Sequence, residues 1–261
     1  MGKLKNITTF LLDLDGTFYL GDQLFPWSLS FVEACRRFSK HFIFVTNNSS
    51  QNGAYYVRKL RSMGVEITDE QVFTAGQATI FYLKKYDYPK KIYLLGTPAL
   101  EQEFTEEGFM LTKKDPEAVV LGFDLTLTYE KLERACGFIR QGLPFIATHP
   151  DLNCPTPQGP IPDCGSMIAL ITASTGVKPK IIGKPYPEMI EALRARYGLE
   201  NPEKVAMVGD RLYTDIAMGN AAGITSILVL SGETKLEDAA GSIDQPDIIV
   251  ENLGELTKGF A

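Results

Sequence analysis

Two widely separated segments of this sequence share a pattern that limits the fold: a short apolar run ends in a glycine turn that carries aspartates. The first segment extends from Phe10 to Thr17 and contains Asp13 and Asp15, and the second extends from Val208 to Asp215 and contains Asp210 and Asp215. Such apolar runs are typical of buried strands, and glycine lets the backbone turn sharply after them. An aspartate in one such turn can simply cap a helix. Carboxylates in both turns, brought together by the fold, suit the binding of one hard cation.

The rest of the chain alternates short apolar runs with amphipathic stretches, which predicts parallel strands joined by crossover helices. Strands of one sheet are predicted at 7–13, 42–46, 72–74, 205–208 and 226–230, with helices at 31–38, 55–63, 187–197 and 213–222. The middle of the chain repeats the pattern, with strands at 91–95, 118–121 and 144–147 and helices at 130–141 and 166–174. The two series indicate an α/β protein in which a second α/β domain is inserted into the first.

Interruptions of the periodicity near 76–78 and 176–182 mark the predicted ends of this insertion. We predict a Rossmann-like parallel-sheet core domain built from 1–77 and 181–261, with an inserted α/β cap domain at 78–180. Both aspartate turns then belong to the core domain. Because ligands of open parallel sheets bind at the carboxyl ends of the strands, we expect the site there. An insertion tethered at two points can open and close over it.

Composition and charge argue against several classes of protein. A chain of 261 residues, 44% of them hydrophobic, is long enough for two domains with proper cores. Its net charge of -6 argues against a nucleic-acid partner, which normally needs a basic face. The apolar run near the N-terminus is too short for a signal or membrane segment, so we expect a cytoplasmic protein with no membrane partner. Four cysteines without C-x-x-C spacing and only two histidines make a zinc site unexpected.

Two further segments carry groups suited to binding an anion. Thr46 and Asn47 follow a predicted strand and offer a hydroxyl and backbone N–H groups that lead into a helix. Lys184 stands between Gly183 and Pro185, which can hold its ammonium beside a negative centre. Each segment alone has a simpler interpretation, as a helix N-cap cluster and as a surface lysine. The sequence contains no ATPase-type phosphate loop, no G-x-G-x-x-G dinucleotide motif and no G-x-S-x-G elbow.

Taken in order, four segments closely resemble the four motifs of the haloacid dehalogenase superfamily: residues 13–17, 46–48, 183–185 and 209–215. The resemblance spans the whole chain. The long insert and the stretch 147–166 resemble the NagD-like, p-nitrophenyl phosphatase-like branch of that superfamily. The resemblance implies a phosphoric monoester hydrolase, specifically a Mg²⁺-dependent phosphatase of small phosphate monoesters with a large α/β cap.

The same resemblance implies roles for the acidic residues. Asp13 is expected to be the nucleophile that forms an aspartyl-phosphate, and Asp15 is expected to act first as general acid and then as base. Mg²⁺ is expected between Asp13, the backbone carbonyl of Asp15 and Asp210, with Asp215 orienting the water around the ion. Branches that dehalogenate carbon lack the second acidic residue of the first motif. The presence of Asp15 therefore favours phosphoryl transfer.

Other residues are expected to bind the phosphoryl group. Thr46 and Lys184 would hold it by hydroxyl and ammonium, and N–H groups near Gly16 and Asn47 would help. Lys184 would also offset the charge that blocks an anionic nucleophile, so it is counted with the catalytic residues.

The proline-rich stretch 148–165 is the candidate cap loop over the leaving group. Contacts to the substrate are predicted from His149, Asn153 and Asp163. A loop that only packs one domain against the other is the alternative. The partner is expected to be a small phosphorylated metabolite, and a nucleotide, a sugar phosphate, phosphoglycolate and pyridoxal phosphate all stay open.

Two alternative functions also stay open. A phosphotransferase or mutase would use the same aspartyl-phosphate but pass the group to a second hydroxyl instead of water. A non-catalytic phosphometabolite sensor would keep the pocket without turnover, and the presence of both Asp13 and Asp15 argues against it. Because cap surfaces can serve as dimer interfaces, a homodimer is open as well.

Overall fold

The computed structural model describes residues 2–260 and shows two parallel β-sheets with helices packed on their faces. In chain order its strands are β1 (Thr9–Leu12), β2 (Tyr19–Leu20), β3 (Gln23–Leu24), β4 (His41–Thr46), β5 (Val72–Thr74), β6 (Lys91–Leu95), β7 (Met110–Leu111), β8 (Ala118–Leu121), β9 (Phe145–Ala147), β10 (Asn153–Cys154), β11 (Ile161–Pro162), β12 (Lys180–Ile181), β13 (Val205–Gly209), β14 (Thr225–Val229) and β15 (Ile248–Val250). Its helices are α1 (Gly2–Asn6), α2 (Ser28–Arg37), α3 (Gly53–Ser62), α4 (Ala75–Lys85), α5 (Pro98–Glu106), α6 (Tyr129–Arg140), α7 (Cys164–Thr175), α8 (Pro187–Tyr197), α9 (Ala217–Ala222), α10 (Leu236–Ala240) and α11 (Leu253–Thr257). Short 3₁₀ turns lie at Asp69–Gln71 and Pro202–Lys204, and a π-helical turn lies at Leu212–Ile216.

The larger sheet has six parallel strands in the order β15-β14-β13-β1-β4-β5. Its central strand β1 is covered on both faces: Phe10, Leu11 and Leu12 have no exposed surface. Because alternate side chains of a strand point to opposite faces, Leu11 packs into one hydrophobic cluster and Phe10 and Leu12 into another. After β1 the chain builds one side of the sheet with β4 and β5, and it returns to the other side with β13. This reversal of strand order beside β1 is where an open α/β sheet binds ligands.

The second sheet has five parallel strands in the order β12-β9-β8-β6-β7, all from the middle of the chain between residues 91 and 181. One hydrophobic cluster contains Leu11 of the larger sheet together with Val120 of the smaller one. The two sheets are thus joined by apolar packing. An α/β core with an inserted α/β cap, as the sequence indicated, is confirmed.

Two short antiparallel hairpins lie outside these sheets. The hairpin β2-β3 follows the first aspartate turn, and β10-β11 lies inside the proline-rich stretch 148–165. The latter segment was expected to be a loop, so its regular pairing is a correction. Only two residues pair in each strand, which is too short for a periodicity signal.

Helix α4 corrects a second expectation, because it passes through the predicted interruption at 76–78. Thr74 begins the helix by accepting a hydrogen bond from Gln77 N at 3.1 Å. Gly76 lies inside the helix, where its missing side chain lets α5 approach closely. A Cβ at Gly76 would lie 2.6 Å from Glu103 Oε2 of α5. The proposed division into 1–77 with 181–261 and 78–180 therefore stays a prediction, with its first limit inside a helix and its second inside β12.

The helices are short. Within residues 2–260, none has the length and apolar character required to cross a bilayer.

Glu103 is a buried carboxylate where α5 meets α3 and α4. It is 8% exposed, its Oε1 accepts a hydrogen bond from Gly53 N at 3.2 Å, and its Oε2 is buried without a partner. Burial raises the pKa of Glu103 from 4.5 to about 7. The folded protein therefore holds a proton that the unfolded chain releases at lower pH.

We predict that the wild type loses folding stability as the pH rises because Glu103 must ionise while buried, and that Glu103→Gln abolishes this loss. Because the folded pKa lies above the unfolded value, the stability of the wild type falls as the pH rises through the interval between them. The difference in free energy of unfolding, variant minus wild type, should therefore rise by about 2 kcal/mol between pH 5 and pH 8. Urea unfolding at the two pH values, without divalent cations, measures this difference.

The control is Glu106→Gln, which changes an exposed carboxylate on the same helix. It should show no such trend with pH. An equal trend in both variants would contradict the role of burial at Glu103.

Candidate active site

The carboxyl ends of β1, β4 and β13 bring the predicted site residues together. These strands are neighbours in register, with Leu12 beside both Phe44 and Val208. Asp13 continues β1, and its N–H donates to Val208 O at 2.9 Å. Asp13, Asp210 and Asp215 each place a carboxylate oxygen within 4.8 Å of the others. Segments nearly 200 residues apart in sequence therefore form one acidic cluster.

Glycines leave the space that this cluster occupies. Gly16 has a φ of +88°, and a Cβ there would lie 2.4 Å from Asp210 Oδ2. A Cβ at Gly232 would lie 2.0 Å from the same oxygen, and one at Gly209 would lie 2.2 Å from Asp215 Cγ. Real Cβ contacts are not this short, so the glycines permit two carboxylates to sit against the backbone.

Lys184 supplies the positive charge inside the cluster. It is 2% exposed, and its Nζ donates to Asp13 Oδ1 at 2.5 Å, Asp215 Oδ1 at 2.7 Å and Val45 O at 3.0 Å. Burial by itself lowers the pKa of Lys184, but the carboxylates of Asp13 and Asp215 outweigh it and raise that pKa. The lysine is therefore charged, and the simpler interpretation as a surface residue is wrong.

Asn47 holds the main chain of Lys184. Its Oδ1 accepts from Lys184 N at 2.8 Å, and its Nδ2 donates to Lys184 O at 3.0 Å. The side chain of Asn47 is thus committed to positioning. Next to it, the Thr46 hydroxyl accepts from Asn48 N at 3.1 Å and lines the cavity beside Asp13.

The oxygens of Asp210 and Asp215 are partnered differently. Asp210 Oδ2 accepts from Glu233 N at 2.7 Å, whereas its Oδ1 is buried with no hydrogen-bond partner among residues 2–260. Burial and the carboxylates of Asp13 and Asp215 raise the pKa of Asp210 well above its usual value. Asp215 has both oxygens occupied, by Lys184 Nζ and by Arg211 N at 3.2 Å. A cation would satisfy the free oxygen of Asp210, so the residues fit a metal site.

Asp15 lies beside this cluster. Burial, and next the charge of Asp13, raise the pKa of Asp15 to about 7. A carboxyl with such a pKa can both donate and accept a proton near neutral pH. Asp15 lines two adjoining cavities, so it stands between the acidic cluster and a wider space.

The narrower cavity has a volume of about 30 Å³, and it is lined by Asp13, Asp15, Thr46, Asn47, Lys184 and Arg211 among others. The wider cavity has a volume of about 480 Å³. Its walls come from the core at Phe25, Tyr213 and Glu233 and from the hairpin segment at Asn153 and Pro155. The first cavity suits a small anion and the second suits the rest of a larger molecule.

The three predicted cap residues have different positions. Asn153 lines the wider cavity and Asp163 the narrower one. His149 is fully buried and lines neither: its Nε2 pairs with Asp163 Oδ1 at 2.9 Å, and its Nδ1 lies 2.9 Å from Thr148 Oγ1. Its proposed contact with a substrate therefore stays a prediction without support from this geometry.

Two residues of the site were not found from the sequence. Arg211 and Asp151 line the narrower cavity and form an ion pair at 3.2 Å. Arg211 directly follows Asp210, and Asp151 lies two residues after His149, so proximity to predicted residues was the available signal. Neither residue stands in a pattern that indicates its partner.

The sequence matches two family models. Residues 10–110 match the model of haloacid dehalogenase-like hydrolases, and residues 181–256 match the HAD-hydrolase-like model. The chain is 35% identical to the 5'-nucleotidase YutF of Bacillus subtilis over 252 residues. The aligned region covers 97% of this chain and 98% of that protein.

Solved structures agree with these matches. A 4-nitrophenylphosphatase from Thermotoga maritima has a TM-score of 0.96 and 49% identity, with 100% of both chains covered. A glycerol phosphate phosphatase from Mycobacterium tuberculosis, solved in complex with calcium, has a TM-score of 0.90 and 31% identity, covering 99% of this chain and 78% of that one. The chain therefore belongs to the haloacid dehalogenase-like hydrolases. Within them it groups with p-nitrophenyl phosphatase-like and NagD-like proteins and is a phosphoric monoester hydrolase.

We predict that Gly16→Ala displaces Asp210 and lowers kcat/KM for an aryl phosphate by about 100-fold, the scale of a misplaced catalytic group. The control is Gly64→Ala, since Gly64 has a φ of +86° but open space around its Cβ position, whereas Gly16 has a φ of +88° and a carboxylate there. Both variants should lose about 1 kcal/mol of stability from the left-handed backbone. Steady-state kinetics and thermal unfolding separate the effects, and equal loss of activity in both variants would contradict this account.

Proposed function

We propose that this protein is a Mg²⁺-dependent phosphatase that hydrolyses small phosphate monoesters through an aspartyl-phosphate. The observation that carries the proposal is the acidic cluster: Asp13 is held against the Lys184 ammonium at 2.5 Å, beside a free buried oxygen of Asp210. A phosphate ester repels an anionic nucleophile. Cations on both sides of the carboxylate would offset this repulsion.

Asp13 is the proposed nucleophile. One carboxylate oxygen attacks phosphorus in line, the bond from phosphorus to the ester oxygen breaks, and an acyl phosphate forms on Asp13. Besides supplying positive charge, Lys184 holds that carboxylate in place by donating a hydrogen bond to it. Water then cleaves the acyl phosphate and releases inorganic phosphate.

Asp15 is the proposed general acid and base. In the first step its proton goes to the leaving alkoxide, and in the second its carboxylate takes a proton from the attacking water. A pKa of about 7, caused by burial and by Asp13, suits both tasks. Its position between the two cavities supports this assignment, because the ester oxygen would lie at their junction.

The proposed metal ligands are Asp13, Asp210 and the backbone carbonyl of Asp15, and Asp215 would orient the surrounding water. An all-oxygen set of this kind is preferred by Mg²⁺. When bound, the ion would neutralise negative charge on the transferred group and on the clustered carboxylates. The arrangement of Asp215, with both oxygens already engaged, supports its indirect role.

The phosphoryl group is proposed to lie in the narrower cavity, against Thr46, Lys184 and the turn at Asn47. The predicted contact from Gly16 stays a prediction without support from this geometry, because Gly16 lines the wider cavity and its N–H donates to Tyr19 O at 2.8 Å.

The leaving group would then extend into the wider cavity of about 480 Å³, where Asn153 is the best placed of the predicted cap contacts. Its partner would be a small phosphorylated metabolite. The relatives are named for different substrates, among them a 5'-nucleotidase and a glycerol phosphate phosphatase. A cytoplasmic location stays part of the proposal.

The test is phosphate release from a panel of phosphorylated metabolites and p-nitrophenyl phosphate, with and without Mg²⁺, for wild type and Asp13→Asn. Wild type should turn over only with the cation, and the variant should lose at least about 1,000-fold in kcat, as enzymes do without their nucleophile. Asp69→Asn, which removes an exposed ion pair with Arg61, should remain fully active.

Turnover by Asp13→Asn at the wild-type rate would exclude the nucleophile assignment. A phosphorylated acceptor in place of free phosphate would favour the phosphotransferase alternative, and binding without turnover would favour the sensor.

We further predict a burst from Asp15→Asn with p-nitrophenyl phosphate. The nitrophenolate leaves without a proton, so the first step persists, whereas hydrolysis of the acyl phosphate lacks its base. Stopped-flow absorbance should show one equivalent of nitrophenol per enzyme, followed by slow turnover. Asp13→Asn should give no burst, and linear release from Asp15→Asn would contradict the second role of Asp15.

A further inference from the structure

Asp151 is a buried carboxylate of the insertion that contacts two residues of the core. It follows β9, is 5% exposed, and accepts a hydrogen bond on Oδ1 from Asn47 Nδ2 at 3.1 Å. Its Oδ2 accepts from Arg211 Nη1 at 3.2 Å. Asn47 follows β4 and Arg211 follows β13, so one side chain joins the cap to two strand ends of the core sheet.

The cap holds Asp151 rigidly. Gly165 N at the start of α7 donates to Asp151 O at 2.8 Å, and a Cβ at Gly165 would lie 2.1 Å from Pro150 O. On the same side, His149 Nε2 pairs with Asp163, which caps α7 by accepting from Cys164 N at 2.6 Å. These contacts attach the main chain around Asp151 to the start of α7.

On the core side, both partners of Asp151 belong to the narrower cavity. Asn47 holds the main chain of Lys184 through its Oδ1 and its Nδ2, and the Lys184 ammonium donates to Asp13. Arg211 lines the same cavity, and its main-chain N–H donates to Asp215 Oδ2. Asp151 is thus linked to the proposed nucleophile through Asn47 and Lys184, and it lines the narrower cavity together with Arg211.

We propose that Asp151 is a positioning residue: its carboxylate, carried by the cap, orients Asn47 and Arg211 so that the phosphoryl cavity is complete only when the cap is closed. The proposal rests on the proposed function, since it takes the narrower cavity to be the phosphoryl site. Asp151 touches neither nucleophile nor acid. It acts by accepting from the Asn47 amide, which also donates to Lys184 O at 3.0 Å, and from the Arg211 guanidinium, which also pairs with Glu233 at 2.9 Å.

The main experiment compares Asp151→Asn with Asp124→Asn. Asp124 is also a buried aspartate of the cap, 1% exposed, but its partners are Lys131 and Thr126, both within the cap. Each substitution replaces a paired carboxylate by an amide of the same shape. Asp151→Asn should lower kcat/KM with p-nitrophenyl phosphate by about tenfold or more, the lower part of the range for misplaced catalytic groups. Asp124→Asn should stay within about twofold, because it alters only the interior of the cap.

A double-mutant cycle distinguishes positioning from general destabilisation. If Asp151 acts through Arg211, the loss caused by Asp151→Asn should shrink to about a third or less in an Arg211→Ala background, since coupled residues are not additive. A merely structural role would make Asp151→Asn lower kcat/KM by the same factor in the wild type and in the Arg211→Ala variant. Asp151→Glu keeps the charge one methylene further out, so its kcat/KM should lie between wild type and Asp151→Asn even if the amide variant folds poorly.

Three results would overturn the proposal: Asp151→Asn within about twofold of wild type, an unchanged factor in the Arg211→Ala background, or Asp151→Glu no more active than Asp151→Asn. Failure of the proposed function is separate, because it would appear as full activity of Asp13→Asn.

Discussion

The burial of the Lys184 ammonium among carboxylates is the interaction on which this site depends. Three acidic groups within 4.8 Å of one another repel, and burial makes their ionisation more costly. Lys184 offsets part of this cost by donating to Asp13 and Asp215, but it leaves Asp210 Oδ1 without a partner. The cluster of three carboxylates and one ammonium is therefore still short of positive charge. That remaining deficit of positive charge supports the proposal that a divalent cation binds beside Asp210.

The division of the molecule into two sheets separates two tasks. Groups for the proposed phosphoryl chemistry lie at strand ends of the larger sheet, where β1, β4 and β13 hold them at fixed distances. The wall facing a leaving group is shared between this core and the β10-β11 segment of the insertion. Asp151 links the two parts through Asn47 and Arg211. A change in the hairpin can thus alter the wider cavity while the acidic cluster stays the same.

The accuracy of the sequence predictions depended on the range of the interactions involved. Five of the six strands of the larger sheet, and helices α6 and α8, were predicted from local periodicity with ends shifted by a few residues, whereas the edge strand β15 was not predicted. Helix α4 was missed because Gly76 resembles a break, whereas it makes room for Glu103 from another helix. The hairpin β10-β11 was missed because its paired segments are two residues long. The pair between Asp151 and Arg211 was missed because it joins residues of the cap and the core.

The sequence by itself determined the α/β class, the order of the four motif segments and the residue types offered for metal and phosphate binding. Those features follow from local periodicity, turn chemistry and the donor atoms of side chains. Only the tertiary structure decided that Lys184 is buried against Asp13, that Asp210 keeps one oxygen free and that His149 is held inside the cap. These outcomes depend on which strand ends become neighbours and on how closely glycines let side chains approach. Such distances are set by the packing of the whole chain.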